Sequence, residues 1–340
     1  MPLNIGEYMA TLGASKLTLL DLAKRQGEGG KIDVIAEILT QQNEILEDMP
    51  WIECNDGTGH RTTVRSGLPS ATWRMLNYGV QPNKSVTTQI KDACGMLEAY
   101  SEIDKALADL NGNTAAFRMS EDKAFIEGIN QSLSQTLFYG DTTVSPEKFG
   151  GLAPRYNTMV SANAASSFNV LNGGGAGSTN TSIWLVVWGP NTVHGIYPKG
   201  SKVGLSHEDL GQQTLLDVNG GRYEGYRTHY KFDAGFTVRD WRYVVRICNV
   251  DVALLTKNAA TGADLLDLMV QAIEKIDNLN MGTPVFYVNR TVRSFLRRQI
   301  VNKSNVHLLL EQIAGKHVLS FDGIPVKRCD QILSTEATVV

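Results

Sequence analysis

Cysteine is scarce: Cys54, Cys94, Cys248 and Cys329 are the only four in 340 residues, each dozens of positions from the next. No C-x-x-C occurs, so neither a disulfide framework nor a cysteine-based zinc site is spelled out. Isolated thiols in a reducing compartment are the expectation. Histidine is scarce too; His194, His207 and His229 share a region, but no pair has the i, i+4 spacing of a helical metal motif. Long apolar runs are missing. The strongest, at 183–188, has the length of a strand, against the ~20 residues of a membrane-spanning helix. The N-terminus, with Glu7 early and Lys16 late, lacks the basic start and apolar block of a signal peptide. Nor is there a Lys/Arg-rich arm of the kind that condenses nucleic acid by counterion release.

What is present is an ordinary globular balance: 42% hydrophobic, 20% charged, net charge −3. That is enough chain for a sizeable core and for two lobes. Charge is uneven along it. Residues 1–50 carry four basic and eight acidic side chains, whereas 291–340 carry seven basic and four acidic. Ends of opposite sign suit contact between neighbouring copies, although a solvated surface explains them equally well.

Hydrophobic periodicity gives the elements. Two amphipathic helical patches are expected in the first fifty residues, Leu17 to Arg25 and Ile32 to Leu46, split by Gly27-Glu28-Gly29-Gly30. So small a pair needs the rest of the chain or a neighbour to pack on. From Trp51 to Ile90 the period becomes two: Arg61, Thr63 and Arg65 point one way and Thr62 and Val64 the other, and Val86, Thr88 and Ile90 oppose Ser85, Thr87 and Gln89. A Gly/Pro/Asn-punctuated stretch lies between these runs. This reads as a long, polar-faced, two-stranded excursion, poor in core residues. A lone hairpin is marginal in water, so support from another subunit is expected, with a hairpin curled back on the domain edge as the alternative.

Cys94 to Leu110 looks helical from Leu97 onward. A long helix is expected from an N-cap at Ser120, with Glu121 and Asp122 in its first turn, a stripe of Phe125, Ile129, Leu133 and Leu137, and Gly140 as its stop. At ~1.5 Å per residue it spans roughly 27–30 Å. A flexible glycine loop at 173–177 precedes a strand at Ile183, and the chain is β-like to Val250. Late helices are expected after Thr261, with Asp264 at the start, and at 292–301. Strands at 285–288, 306–310 and 324–333 complete an α+β order.

No constellation of catalytic residues emerges. The glycines at 173–177 are followed by Ser178-Thr179-Asn180-Thr181 and a strand, where a phosphate loop needs Lys, then Ser/Thr, then a helix. There is no G-x-S-x-G elbow. The pairs Glu121-Asp122 and Glu208-Asp209 are adjacent and therefore diverge. The stripe of Arg293, Arg297 and Arg298 suits a charged outer helix face or an intersubunit ion pair better than a phosphate site. No cofactor and no metal is expected.

One ordered set of segments resembles the major capsid proteins of tailed double-stranded-DNA bacteriophages, in particular the short-tailed type with the Hong Kong 97-like fold. It comprises Trp188-Gly189-Pro190, Val193-His194-Gly195-Ile196-Tyr197-Pro198-Lys199-Gly200-Ser201, Gly204-Leu205, Asp209-Leu210-Gly211 and Asp240 through Asn249. Upstream belong Arg65-Ser66-Gly67-Leu68-Pro69, Trp73-Arg74, Asn77-Tyr78-Gly79-Val80, and the pair Phe138-Tyr139-Gly140-Asp141 and Phe149-Gly150-Gly151-Leu152. Downstream are Tyr287-Val288-Asn289-Arg290 and Gly323-Ile324-Pro325-Val326. The likeness runs in order from about 50 to 335.

The resemblance implies an N-terminal arm (1–50), an extended loop lying across an adjacent subunit (51–90), a peripheral domain with a long spine helix (91–159), an axial domain (160–320) and a return strand of the peripheral domain (321–340). It implies a structural protein, not an enzyme, that forms hexamers and pentamers closing an icosahedral head in the virion, assembled in the bacterial cytoplasm around DNA that it does not read by sequence. Candidate intersubunit contacts are Arg61, Arg65, Trp73, Arg74, Lys84, Arg293 and Arg297. Fifty residues and a retained Met1 leave no room for a cleaved scaffolding region, so a separate scaffolding protein is expected, with a portal and a decoration protein as further partners. Lys84 is the only lysine between 51 and 90, and autocatalytic crosslinking through it is not expected. The alternatives are a bacterial nanocompartment shell of the same fold, which enclosed DNA would exclude, and a soluble hydrolase, which turnover by a small oligomer would reveal.

Overall fold

The computed structural model describes Leu17 and residues 41–57, 59–112, 114–256, 262–302, 308–313 and 316–340. The two expected N-terminal helices therefore lie almost wholly outside the described residues. In chain order the elements are α1 (Ile45–Asp48), β1 (Trp51–Glu53), β2 (His60–Gly67), β3 (Val86–Asp92), β4 (Cys94–Asp104), α2 (Lys105–Ala108), α3 (Thr114–Tyr139), α4 (Leu152–Arg155), β5 (Val170–Asn172), β6 (Asn180–Trp188) and β7 (Val193–Tyr197). They continue with β8 (Ser206–Leu216), β9 (Arg222–Val238), β10 (Val244–Asp251), α5 (Leu265–Glu274), β11 (Thr283–Val288), α6 (Arg290–Asn302), β12 (Leu308–Ile313), β13 (Lys316–Phe321) and β14 (Ile324–Arg328).

Contacts divide the chain into two units. Among the described residues one holds Leu17, 97–130 and 204–232; the other holds 41–96, 131–203 and 233–340. Residues 204–232 thus cluster with 97–130.

In the larger unit the sheet runs β12-β13-β14-β11-β6-β7-β9, with β10 pairing both β6 and β5, and β1 lying parallel to β7. β6 is its centre and all nine of its residues are buried. Alternation along it feeds two different cores. Ile183, Leu185 and Val187 join Val245, Ile247, Phe286 and Val288 under α5 and α6, which contribute Leu265, Met269, Val292 and Leu296. On the other face Trp184 meets Phe138 and Tyr156, and Trp188 meets Phe236 and Tyr287. Each such large side chain contributes about 1.5–3 kcal/mol by leaving water. The strand at Ile324 forms as β14 and pairs with β11 and β13.

The ends of opposite charge meet within one chain. Lys327 pairs with Asp48, Arg293 approaches Glu44 at 3.9 Å, and the Arg328 backbone N–H donates to the Glu44 carboxylate. The expectation that neighbouring copies would join them is not needed for these residues. The glycine loop is also less free than expected: the N–H groups of Gly173 and Gly175 donate to the carbonyls of Cys248 and Asn249 at 2.8 and 2.7 Å.

In the smaller unit β8 pairs antiparallel with β9, and α2 and the first part of α3 cover a small core of Ile103, Leu107, Ala108 and Phe117. Residues 97–104, expected to be helical, are strand. Leu, Glu and Ala favour a helix, but the side chains alternate: Leu97, Ala99, Ser101 and Ile103 turn inward, while Glu98 and Tyr100 are exposed. The Glu98–His229 contact and the Glu102–Arg227 ion pair, with Tyr100 stacked on His229, outweigh a weak intrinsic propensity. Helix α3 begins at Thr114, six residues before the expected cap. Ser120 is inside it and donates its hydroxyl to the Phe117 carbonyl at 2.7 Å. Twenty-six residues give about 39 Å, longer than expected. Of its stripe, Ile129, Leu133 and Leu137 are buried and Phe125 is half-buried, and Gly140 ends it.

Candidate assembly interface

The antiparallel pair β2–β3 runs from His60↔Asp92 to Gly67↔Val86 and forms its own two-stranded sheet. Its faces are those the period-two pattern required: Thr62 is buried, whereas Arg61, Thr63 and Arg65 are exposed. The hairpin proper starts at His60, because Trp51–Glu53 is committed to β7 of the main sheet. The base is anchored. The Asn55 side chain donates to the Arg61 carbonyl and accepts from the Arg61 N–H at 2.7 and 2.8 Å, and the Arg61 guanidinium reaches Asp56 at 2.9 Å. Asn55, Asp56, Arg61, Thr63 and Gln89 line a hollow of about 510 Å³. Below it Arg155 and Thr237 bind the two oxygens of buried Asp92 at 2.7 and 2.6 Å.

Between the strands, residues 68–84 are exposed throughout. This segment is not merely polar. Leu68 is 81% exposed, Trp73 100%, Leu76 85% and Tyr78 68%. With Met75, also exposed, these make five large apolar side chains within eleven residues, none covered by the described chain, and such a patch marks a protein contact. A turn at Asn77, which adopts φ 65, and the bond from the Asn83 amide to the Ser70 hydroxyl at 2.5 Å give the apex local order.

The expected contact residues fall into two groups. Arg61 and Arg65 share one face of β2, while Trp73, Arg74 and Lys84 lie in the exposed apex. Arg293 and Arg297 stand one turn apart on α6; Arg297 is exposed, but Arg293 is largely covered and faces Glu44. Sequence reasoning named Trp73 yet passed over Leu68, Leu76 and Tyr78, whose signal was apolar residues placed among loop formers.

The signature residues of 188–249 do a different job. Arg246, 4% exposed, donates to Ser182, to the Tyr156 carbonyl and to Glu336, the last at 2.8 Å. Tyr139 and Ser182 also donate to Glu336. Asn249, at φ 55, makes a two-way bond with the Val339 backbone, each at 2.8 Å. Together they fasten the C-terminal segment to β6 and β10. The paired motifs at 138–141 and 149–152 meet as well. Gly151 N–H donates to the Gly140 carbonyl at 2.7 Å, and a Cβ on Gly151 would stand 2.6 Å from the Thr136 carbonyl oxygen.

Among the described residues no group of His, Cys, Asp and Glu is arranged to hold a metal ion, and no helix is long and apolar enough to cross a membrane. The acidic pairs have structural partners: Asp122 accepts from Tyr230, and Asp209 pairs with Arg118 at 2.5 Å.

Comparison with known proteins supplies what geometry alone cannot. The family model described as Major capsid protein GP7 matches residues 27–340. A chain from the near-atomic-resolution structure of bacteriophage epsilon15 is 41% identical, with 97% of this chain and 99% of that one covered and a TM-score of 0.76. The bacteriophage JBD30 capsid covers 87% of this chain and 93% of its own at 10% identity and a TM-score of 0.47. The holo-SrpI encapsulin complex from Synechococcus elongatus gives 69% and 97% at 11% identity and a TM-score of 0.46. Curated proteins gave no match. The epsilon15 likeness agrees with the expected α+β, Hong Kong 97-like fold. The chain belongs to the major capsid protein GP7 family, and it is a structural subunit of a phage head shell.

Proposed function

We propose that the chain assembles into hexamers and pentamers that close an icosahedral head around double-stranded DNA, with a structural and not a catalytic role. The observation that carries this reading is the exposed apolar apex of the β2–β3 excursion, which finds no cover among the described residues. In this reading 51–90 is the extended loop that lies across an adjacent subunit, with Arg61, Arg65, Trp73, Arg74 and Lys84 at the contact. Arg293 and Arg297 serve a second contact. The arm is 1–50, the spine helix belongs to a peripheral domain (91–159, with 321–340 returning to it), and 160–320 is the axial domain. Several interfaces per subunit, each on the order of 1,600 Å², give cohesion without any single strong contact. A mildly acidic wall has no need to attract DNA that a motor delivers. A separate scaffolding protein, a portal and a decoration protein are the further partners, and assembly takes place in the bacterial cytoplasm.

The test is a double variant, Trp73→Ala with Leu76→Ser. The subunit is expected to keep its circular dichroism and urea midpoint but to form no closed shells in negative-stain images. Shells at wild-type yield would overturn the proposal. Two further outcomes bear on partners and chemistry. Closed heads of uniform size from the chain alone would remove the separate scaffold, and a ladder above the monomer on a denaturing gel would restore crosslinking through Lys84.

A further inference from the structure

Two cysteines that the sequence holds forty positions apart are neighbours in the fold. Cys54 follows β1 and is fixed by its N–H to the Tyr197 carbonyl at 2.9 Å; Cys94 opens β4. Their Sγ atoms are 3.4 Å apart, one thiol donating to the other. They flank the excursion on both sides, so a bond between them would enclose the whole hairpin and its exposed apex in one covalent ring. The other two thiols have no such neighbour: Cys248 donates to the Leu171 carbonyl and Cys329 to the Asn43 side chain.

We propose that Cys54 and Cys94 form an oxidative modification site, an intrachain disulfide that staples the base of the excursion when the particle leaves a reducing cytosol. The two sulfurs must approach by about 1.4 Å to reach bonding distance, a displacement within reach of side-chain rotation. The oxidant is a low-molecular-weight disulfide such as oxidised glutathione. Cys94, the more exposed of the two, attacks as thiolate and expels one glutathione thiolate. Cys54 then attacks the Cys94 Sγ and expels the second. Two protein thiols are oxidised, one external disulfide is reduced to two thiols, and the two thiol protons pass to the leaving thiolates.

The surroundings of the pair slow its exchange near neutral pH. Burial, then the neighbouring Cys54 sulfur, then Asp233 and Asp92 push the Cys94 thiol up to about 12. Burial raises Cys54 as well, with Glu53 adding to it and the bond to Cys94 opposing. Exchange therefore accelerates with rising pH.

The experiment uses the full-length chain, incubated with oxidised glutathione at pH 8.5, acid-quenched, unfolded and alkylated. Two alkylatable thiols are expected in place of four, with a peptide joining Cys54 to Cys94. A protease nick within 68–84 should then release no fragment on a non-reducing gel and two fragments after reduction. Cys54→Ser should hold glutathione on Cys94 as a stable adduct, because the resolving thiol is gone. Four free thiols in the wild-type chain, a different pairing, disulfide-linked dimers, or a persistent wild-type adduct on Cys94 would each overturn the proposal.

Discussion

Replacing Glu336 by alanine removes the acceptor on which the C-terminal clamp converges. Glu336 and Arg246 are 7% and 4% exposed, and the carboxylate accepts from Arg246, Ser182 and Tyr139. Breaking one side of a buried ion pair costs about 3–5 kcal/mol, since the remaining charge is left without its counterion. Arg246 keeps the Tyr156 carbonyl and the Ser182 hydroxyl at 2.9 and 3.0 Å, so the lower end of that range, about 3 kcal/mol, is expected. Urea unfolding of the unassembled subunit measures it as a fall in midpoint at constant slope. Trp184, whose ring centre lies 5.0 Å from the Arg246 guanidinium, is one of five tryptophans whose combined fluorescence can follow the transition. The double variant Arg246→Met with Glu336→Leu should recover most of the loss, as apolar replacements of buried pairs often do. A Glu336→Ala shift below about 0.5 kcal/mol would refute the clamp, since that is the scale of an ordinary surface substitution.

Three further outcomes follow from other sites. His194 is fully buried, and its pKa is held down to about 4, first by burial, then by His60, with Arg239 adding to this and Asp92 and the Gly189 backbone opposing. A folded pKa below the unfolded ~6.5 means this stability is complete above that pH and is lost as pH falls toward 4, about 2–3 kcal/mol by pH 4.5. His194→Phe should therefore lose less between pH 7.5 and 4.5 in urea titrations; parallel curves would remove His194 as the cause. Gly151→Ala places a methyl against the backbone of Thr136, Leu137 and Gly140, none of which can yield like a flexible side chain. It should cost about 1–3 kcal/mol in midpoint. Trp73→Ala alone should leave the midpoint within about 0.5 kcal/mol while slowing assembly measured by light scattering; a destabilised subunit would show that the apex packs on its own chain.

The hairpin faces, the α3 stripe and the strand at 183 were legible because each is a short, local period. Residues 97–104 were not, because their alternation competes with good helix formers and is decided by partners more than a hundred residues away on β9. The start of α3 was misplaced for a related reason: Ser120 with Glu121 and Asp122 imitates a cap, but nothing local stops the helix from running back to Thr114. Strand β13 was missed although Asp322-Gly323, both at positive φ, mark the tight turn into β14. That signal was absorbed into the family likeness instead of being read for geometry. The pairing of Cys54 with Cys94 has no local trace at all, since the sheet register alone creates it.

The buried signature residues and the exposed residues proposed for assembly differ in what constrains them, and physics gives the reason. Arg246 and Asn249 each satisfy several buried partners at once, so a substitution there strands polar groups and is costly to the fold. Such positions make a family readable from one sequence, and they are buried inside the subunit. Leu68, Trp73, Leu76 and Tyr78 are exposed among the described residues, and in the proposed shell their constraint is the surface of another copy. A lone sequence contains no record of that surface. It does record the anomaly of large apolar side chains on a segment that folding leaves bare, and that anomaly is what a shell subunit needs in order to be stable alone and complete only in company.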